Sequence, residues 1–177
     1  MTIERPNFIA TTVRGRELEA CREVKSILTE LGDESPKAEA TEVNGLIFGL
    51  TSLDVNQVPE MLKKLVNSDP WKIHLIQRFI PLQEVTETSL EQIVESAKRL
   101  KKSIASNETF KVQIEKRHSD IDAMKIIKEV AALFDQKVNL DNPDKIVLIE
   151  VVGGITGISI LEPEKVFSSV AAKRGNI

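Results

Sequence analysis

The chain has 177 residues, of which 41% are apolar, and its formal net charge is −3. This length fits one large or two small domains with an ordinary hydrophobic core. The net charge excludes a polycation that binds nucleic acid through a global field, so any such binding must come from a local basic patch. The single cysteine, Cys21, excludes an internal disulfide and a multi-cysteine zinc site, and it is typical of a protein from a reducing compartment.

Two further properties narrow the class of protein. No apolar stretch reaches the length of a membrane span, and residues 1–6 lack the apolar segment of a signal peptide. We therefore expect a cytoplasmic protein without a membrane partner. The aromatic residues are six Phe, one Trp and no Tyr, which argues against a module that stacks many bases on a sheet of exposed rings.

The first half of the chain alternates between strand and helix patterns. The predicted order is strand, helix, strand, strand, helix, strand, with a tight hairpin at Asn44-Gly45 between the second and third strands. The last of these strands covers residues 73–81. This order is the ferredoxin-like arrangement. We assign residues 1–82 to an N-terminal ferredoxin-like domain and residues 83–177 to a second domain.

The second domain begins with a predicted helix. Thr88 and Glu91 have the spacing of a capping box at its start. The helix carries an apolar stripe on one side and several basic residues near its end.

A longer pattern in the second domain predicts a crossover unit. Residues 110–117 alternate between apolar and polar side chains, which is typical of a strand with one buried face. Residues 145–152 are almost continuously apolar, which predicts a central strand buried on both faces. Between them, Ser119 is a candidate cap for a helix. The whole chain is therefore predicted to be an α+β protein whose second domain has a mixed sheet.

No constellation of catalytic residues is apparent. The two histidines, His74 and His118, have no companion at metal-ligand spacing. Phosphate-loop and nucleophile-elbow motifs are absent, and Gly153-Gly154 is better explained as a hairpin turn. We expect no cofactor and no metal.

The positive signal is a set of basic residues. If the first helix of the second domain packs beside the strand over residues 110–117, its basic end and the basic end of that strand could form one patch. Lysines near the end of a helix also stabilise its dipole, by about 0.3–1 kcal/mol each, so charge alone favours a purely structural role. The candidate RNA-binding residues are Lys98, Arg99, Lys102, Lys116, Arg117, Lys173 and Arg174.

Three sequence blocks of the second domain resemble the THUMP domain, a tRNA-binding module. They are FKVQIEKR at residues 110–117, VNLDNPD at residues 138–144 and IVLIEVVGGITGISIL at residues 146–161. A ferredoxin-like domain precedes the THUMP domain in many proteins of this family. The pairing is similar to the stand-alone subfamily that is required for N4-acetylcytidine formation in tRNA.

The resemblance implies an adaptor that binds tRNA, rather than DNA, and presents it to a separate tRNA cytidine acetyltransferase. It also implies an accessory subunit that is not itself an enzyme. Two alternatives stay open: an enzyme that acts on tRNA alone, and a ferredoxin-like module that binds a small molecule or a protein.

Overall fold

The computed structural model describes residues 3–175. The strands are β1 (Phe8–Thr11), β2 (Lys37–Ala40), β3 (Leu46–Leu50), β4 (Arg78–Pro81), β5 (Glu84–Glu87), β6 (Thr109–Arg117), β7 (Lys137–Val138), β8 (Lys145–Val152), β9 (Ile155–Leu161) and β10 (Phe167–Ser168). The helices are α1 (Glu17–Glu30), α2 (Val58–Ser68), α3 (Leu90–Arg99), α4 (Ala123–Ala131) and α5 (Ser169–Arg174).

These elements form two compact units. Within the described range, unit 1 comprises residues 3–82 and 165–175, and unit 2 comprises residues 83–164. Each unit contains one five-stranded sheet and its own helices. The α+β class and the mixed sheet predicted for the second domain are confirmed.

The sheet of unit 1 has the order β10-β4-β1-β3-β2, and all of its neighbouring strands are antiparallel. α1 connects β1 to β2 and α2 connects β3 to β4, so each helix crosses over one intervening strand. Without β10, the order β4-β1-β3-β2 is the predicted ferredoxin-like arrangement.

The core of unit 1 depends on one close approach between a ring and the backbone. Phe8 stacks on Phe79 with ring centroids 4.5 Å apart, and both side chains are fully buried. A Cβ atom at Gly49 would lie 1.9 Å from Cζ of Phe8. Gly49 therefore leaves the space that the Phe8 ring occupies.

The end of the chain packs in unit 1, whereas the sequence assigned it to the second domain. β10 pairs with β4 through Phe167 opposite Phe79, and Phe167 is fully buried in the unit 1 core. A two-residue strand has no readable period, so the sequence pattern gave no sign of this pairing.

Only the end of the predicted strand over residues 73–81 is a strand. The backbone N–H groups of His74, Leu75 and Ile76 each donate to the carboxylate of Glu23 at 2.8 Å. A side chain of α1 therefore satisfies donors that a strand partner would otherwise take, and β4 begins at Arg78.

The sheet of unit 2 has the order β5-β9-β8-β6-β7. β6 runs parallel to β8, from Phe110 opposite Lys145 to Arg117 opposite Val152. β9 is antiparallel to β8 and to β5. Residues 147–152 of β8 are all buried, so the predicted central strand is confirmed.

Two helices cover one face of the unit 2 sheet, and both run opposite to β6 and β8. α3 starts where β8 ends, because the N–H of Thr88 donates to the carbonyl of Gly154 at 3.0 Å. The segment after α3 returns to the start of β8, where Nζ of Lys145 donates to the carbonyl of Ser103 at 3.3 Å. Phe134, which follows α4, contacts Phe110 at the start of β6 with ring centroids 5.0 Å apart. The ends of both helices therefore lie at the end of the sheet where β6 and β8 begin.

The helix caps differ by a few residues from the prediction. Ser89, rather than Thr88, caps α3 by accepting from the N–H of Gln92. Thr88 instead forms a hydrogen bond with Thr156 at 2.8 Å between their hydroxyls. Asp122, rather than Ser119, caps α4. No helix within residues 3–175 is both long and apolar enough to cross a lipid bilayer.

A buried carboxylate organises the loops at one end of unit 1. Asp33 is 1% exposed and accepts hydrogen bonds from the hydroxyls of Thr51 and Ser52, at 2.6 and 2.9 Å, and from the N–H groups of Ser35 and Ser52. Burial alone raises the pKa of Asp33, but these hydrogen bonds outweigh it and lower the pKa below its ordinary value.

We expect Asp33→Asn to lower the free energy of unfolding by about 1–3 kcal/mol at pH 7, because the amide N–H₂ would face groups that donate. A carboxylate whose pKa falls on folding stabilises the fold above its unfolded pKa of about 3.9, and this contribution is lost as the pH falls through the lower folded value. In urea unfolding, the difference in the free energy of unfolding between wild type and variant should therefore become smaller below about pH 4. Asp120→Asn, at an exposed position, is the control. A difference in the free energy of unfolding that does not change with pH would contradict stabilisation by the charge of Asp33.

Candidate nucleic-acid interface

The predicted basic residues of unit 2 lie at opposite ends of its sheet. Lys98 and Arg99 are in the last turn of α3, and Lys102 is in the 3₁₀ turn Lys101–Ser103 that follows. Lys116 and Arg117 end β6. Since α3 runs back toward the start of β6, the two groups are separated by about six strand residues, or roughly 20 Å. The structure does not bring them into one patch.

The last two predicted residues belong to unit 1. Lys173 lies in α5 and donates from Nζ to the carbonyl of Ile73 at 2.7 Å. Arg174 is exposed at the end of the same helix.

Arg117 is held in an internal ion pair. Its guanidinium donates to Oε2 of Glu150 at 2.6 Å, and the Glu150 side chain is fully buried on the central strand β8. A buried carboxylate requires a compensating charge, so Arg117 stabilises unit 2. Lys116 differs, because it is exposed and its Nζ donates only to the carbonyl of Ile121 among the bonds described. An ammonium has three N–H donors, so Lys116 retains donors for a ligand.

A second group of cations gathers where β6 and β8 begin. We call it the amino-end cluster, and its members are Lys98, Arg99, Lys101, Lys102, Lys137 and Lys145. Two contacts tie the contributing segments together. Nε2 of Gln136, next to Lys137, donates to the carbonyl of Ile104 at 2.9 Å, and Lys145 reaches the carbonyl of Ser103. The helix end, the 3₁₀ turn and the starts of β7 and β8 therefore meet.

Some charges of the amino-end cluster are neutralised and others are not. Arg99 pairs with Glu84 at 2.9 Å, and Lys145 pairs with Glu108 at 2.9 Å. The N–H of Ala105 and the ammonium of Lys145 lower the pKa of Glu108, which keeps this pair charged. The remaining cations are exposed and form no ion pair within residues 3–175: Lys98, Lys101, Lys102 and Lys137.

Carboxylates without an ion pair to the four lysines also lie in this part of unit 2. The Asp144 carboxylate accepts from the N–H and hydroxyl of Thr109 at 2.8 and 3.1 Å. Asp135 and Asp141, which are exposed, are further acids in this part of unit 2. Four exposed lysines on converging segments can bind successive phosphates of a nucleic-acid backbone.

The sequence identified one side of this cluster and missed the other. Lys98, Arg99 and Lys102 were predicted because they follow one another on a helix. Lys137 and Lys145 were missed because their place depends on which strands flank β6. No local period reports that order of strands, and β7 has only two residues.

The opposite end of β6 has an unusual backbone. His118 follows Arg117 and has φ of 53°, a left-handed conformation that few non-glycine residues adopt. The chain leaves the strand here, and the N–H of Gly153 donates to the carbonyl of Arg117 at 2.8 Å. His118 is exposed, and no group of three or more His, Cys, Asp or Glu side chains within the described range is arranged to hold a metal ion.

Comparisons with known proteins define the class of unit 2. The family model of the THUMP domain matches residues 87–161, which lie entirely within unit 2. The predicted THUMP domain is confirmed within unit 2. An uncharacterized protein of Methanocaldococcus jannaschii, MJ0421, is 33% identical over 105 residues, which is 56% of this chain and 29% of that protein.

Solved structures share the fold over both units. PH1313 from Pyrococcus horikoshii is 16% identical with a TM-score of 0.64, covering 89% of this chain and 55% of that one. A 4-thiouridine synthetase in complex with RNA and ATP is 19% identical with a TM-score of 0.51, covering 89% of this chain and 42% of that one. The chain therefore spans about half or less of the length of these relatives.

The resemblance led us to expect an accessory subunit that is not an enzyme. This expectation is wrong, because enzymes share this fold. One of the solved proteins with the same fold is a synthetase. The fold of this chain therefore does not exclude catalysis.

We expect Arg117→Ala to destabilise the protein by about 3–5 kcal/mol, because it leaves the buried Glu150 carboxylate without its Arg117 partner. The double variant Arg117→Ala with Glu150→Gln should be destabilised less than Arg117→Ala alone, because the second change removes the buried charge. Urea unfolding measures both variants, and Lys116→Ala is the exposed control. If the double variant is as unstable as the sum of its single variants, the ion pair does not have this role.

Proposed function

We propose that this chain binds tRNA through the amino-end cluster and positions it for modification of a nucleotide. The observation that supports this most strongly is the meeting of four exposed lysines, free of ion pairs within residues 3–175, at one end of a domain that matches the THUMP family. The relative in complex with RNA, a 4-thiouridine synthetase, supports a role in tRNA modification by analogy.

The chemistry of the cluster suits a phosphate backbone. Lysine ammonium groups on flexible stems adapt to phosphates without reading base edges. Neutralising phosphates also releases condensed counterions, so a chain with a net charge of −3 can gain affinity from a local group of lysines. Binding of this kind positions the RNA and leaves the choice of nucleotide to other contacts.

The other predicted RNA contacts remain part of the proposal, but they lie outside the amino-end cluster. Lys116 has free donors at the far end of β6, and Lys173 and Arg174 are separate candidate contacts on unit 1. Arg117 would contact RNA only while it stays paired with Glu150. A charge reversal at Arg117 would test folding as well as binding, so the binding test uses the cluster lysines.

We further propose that the reaction served is N4-acetylation of a cytidine by a tRNA cytidine acetyltransferase, in the cytoplasm. This assignment is supported by the resemblance of the sequence blocks at residues 110–117, 138–144 and 146–161. It is tested separately from tRNA binding.

We expect Lys101→Glu with Lys102→Glu to weaken tRNA binding by about tenfold or more, because two phosphate contacts become repulsive. If wild type contacts about four phosphates, the logarithm of its binding constant should fall with the logarithm of salt concentration at a slope of about −3 to −4, and the variant slope should be shallower by about 1.5–2. Fluorescence anisotropy with labelled tRNA measures both quantities.

The matched control is Lys37→Glu with Lys125→Glu, which changes the charge equally at exposed positions outside the cluster. The control should bind nearly as wild type does. If both double variants lose affinity for tRNA equally, only net charge matters and the cluster is not the binding site. Wild-type binding that is insensitive to salt would also contradict the proposal.

Deletion of the gene should remove N4-acetylcytidine from cellular tRNA, which mass spectrometry of tRNA nucleosides detects. Restoration by wild type, and not by Lys101→Glu with Lys102→Glu, would link the modification to the cluster. An unchanged N4-acetylcytidine level would contradict the assignment of the reaction and leave tRNA binding standing. Purified protein with tRNA and acetyl-CoA, with and without an acetyltransferase, shows which polypeptide carries the reaction.

A further inference from the structure

The only tryptophan of the chain is exposed on unit 1. Trp71 is 77% exposed, whereas all six phenylalanines are buried: Phe8, Phe48, Phe79, Phe110, Phe134 and Phe167. Other large apolar side chains are exposed as well, such as Leu18 and Met124, but Trp71 is the most exposed of them and the only one with an aromatic ring. The indole is not part of the unit 1 core, so its face is available to a ligand.

The backbone that carries Trp71 is firmly held. The N–H of Trp71 donates to Oδ1 of Asp69 at 3.1 Å, within the 3₁₀ turn Pro70–Lys72. Nζ of Lys72 bonds both carboxylate oxygens of Glu30 on α1, at 3.1 and 3.2 Å. The next residue, Ile73, is fully buried in the unit 1 core. The backbone on both sides of the indole is therefore tied to the rest of unit 1.

A second ring lies beside the indole. The centroid of His74 is 6.5 Å from that of Trp71, with 36° between the ring planes, and His74 is also exposed. The backbone of His74 is held by the bond from its N–H to Glu23. Aromatic and imidazole rings of this kind are the surfaces on which unpaired RNA bases stack.

A cationic group lies close to the backbone between these two rings. Nζ of Lys173 donates to the carbonyl of Ile73, two residues from Trp71, and keeps two further N–H donors. Arg174 follows it and is exposed. The carboxylates of Asp69 and Glu23 also lie here, and they accept from the backbone N–H groups of Trp71 and His74. An exposed ring with a cation nearby suits a single-stranded nucleotide, which offers a base to stack and a phosphate to neutralise.

We propose that Trp71, together with His74, stacks on an unpaired base of the bound RNA while Lys173 and Arg174 contact the adjoining phosphates. The proposal rests on RNA binding by this chain and names a contact in unit 1, separate from the amino-end cluster. It requires an unpaired base, because the base faces of a continuous duplex are already covered by their neighbours.

The intrinsic fluorescence of the single tryptophan tests this directly in the full chain. Titration with a short unstructured RNA should quench the emission of Trp71, whereas a duplex of the same sequence should quench it far less. Trp71→Ala should weaken binding of the single-stranded RNA by about tenfold or more, and Trp71→Phe should retain most of the affinity. Leu18→Ala, at another exposed apolar position of unit 1, is the matched control.

The variants distinguish this contact from the proposed function. Lys101→Glu with Lys102→Glu should weaken binding of tRNA and still allow RNA to quench Trp71 once binding is saturated. Suppose that wild type binds tRNA but RNA does not quench its Trp71 emission, and that Trp71→Ala binds tRNA and single-stranded RNA as tightly as wild type does. The stacking contact is then wrong, and tRNA binding stands. If wild type binds neither tRNA nor single-stranded RNA, both proposals are wrong.

Discussion

The parallel pairing of β6 with β8 is the constraint on which the candidate interface depends. Two parallel neighbours need a crossover, so α4 must run back along the sheet before the chain can start β8. α3 runs in the same direction because it begins beside the turn that follows β8. Both helices therefore deliver their ends to the place where the strands begin. The amino-end cluster follows from this topology, since its lysines come from segments far apart in the chain.

The structure separates basic residues that stabilise the fold from those that face solvent. Arg117 compensates a fully buried carboxylate, and Lys145 and Arg99 each pair with a glutamate of unit 2. Lys98, Lys101, Lys102 and Lys137 are exposed and, within residues 3–175, form no such pair. Lysines at the end of α3 also favour the helix dipole, but that effect does not account for Lys137 at the start of a strand. These four exposed lysines are the basis of the proposed binding at this end of unit 2.

Periodic segments were predictable from the sequence, and short or long-range features were not. The alternation of residues 110–117 and the apolar run at 145–152 predicted β6 and β8 because both strands are long enough to show a period. β7 and β10 have two residues each and show none. Residues 73–77 have strand-like composition, but Glu23 takes three of their N–H groups, a tertiary contact that no local pattern reports. Likewise the sequence showed Lys116 and Arg117 as neighbours on a strand, and only the buried position of Glu150 distinguishes their roles.

Mapping of lysine reactivity in the tRNA complex is the most direct test of where RNA binds. An amine-reactive reagent with mass spectrometry reports the accessibility of each lysine in free and bound protein. The account predicts that tRNA protects Lys98, Lys101, Lys102 and Lys137, while Lys37 and Lys125, which are exposed elsewhere, react as in the free protein. Protection of Lys37 and Lys125 with unchanged reactivity of the amino-end cluster would contradict it.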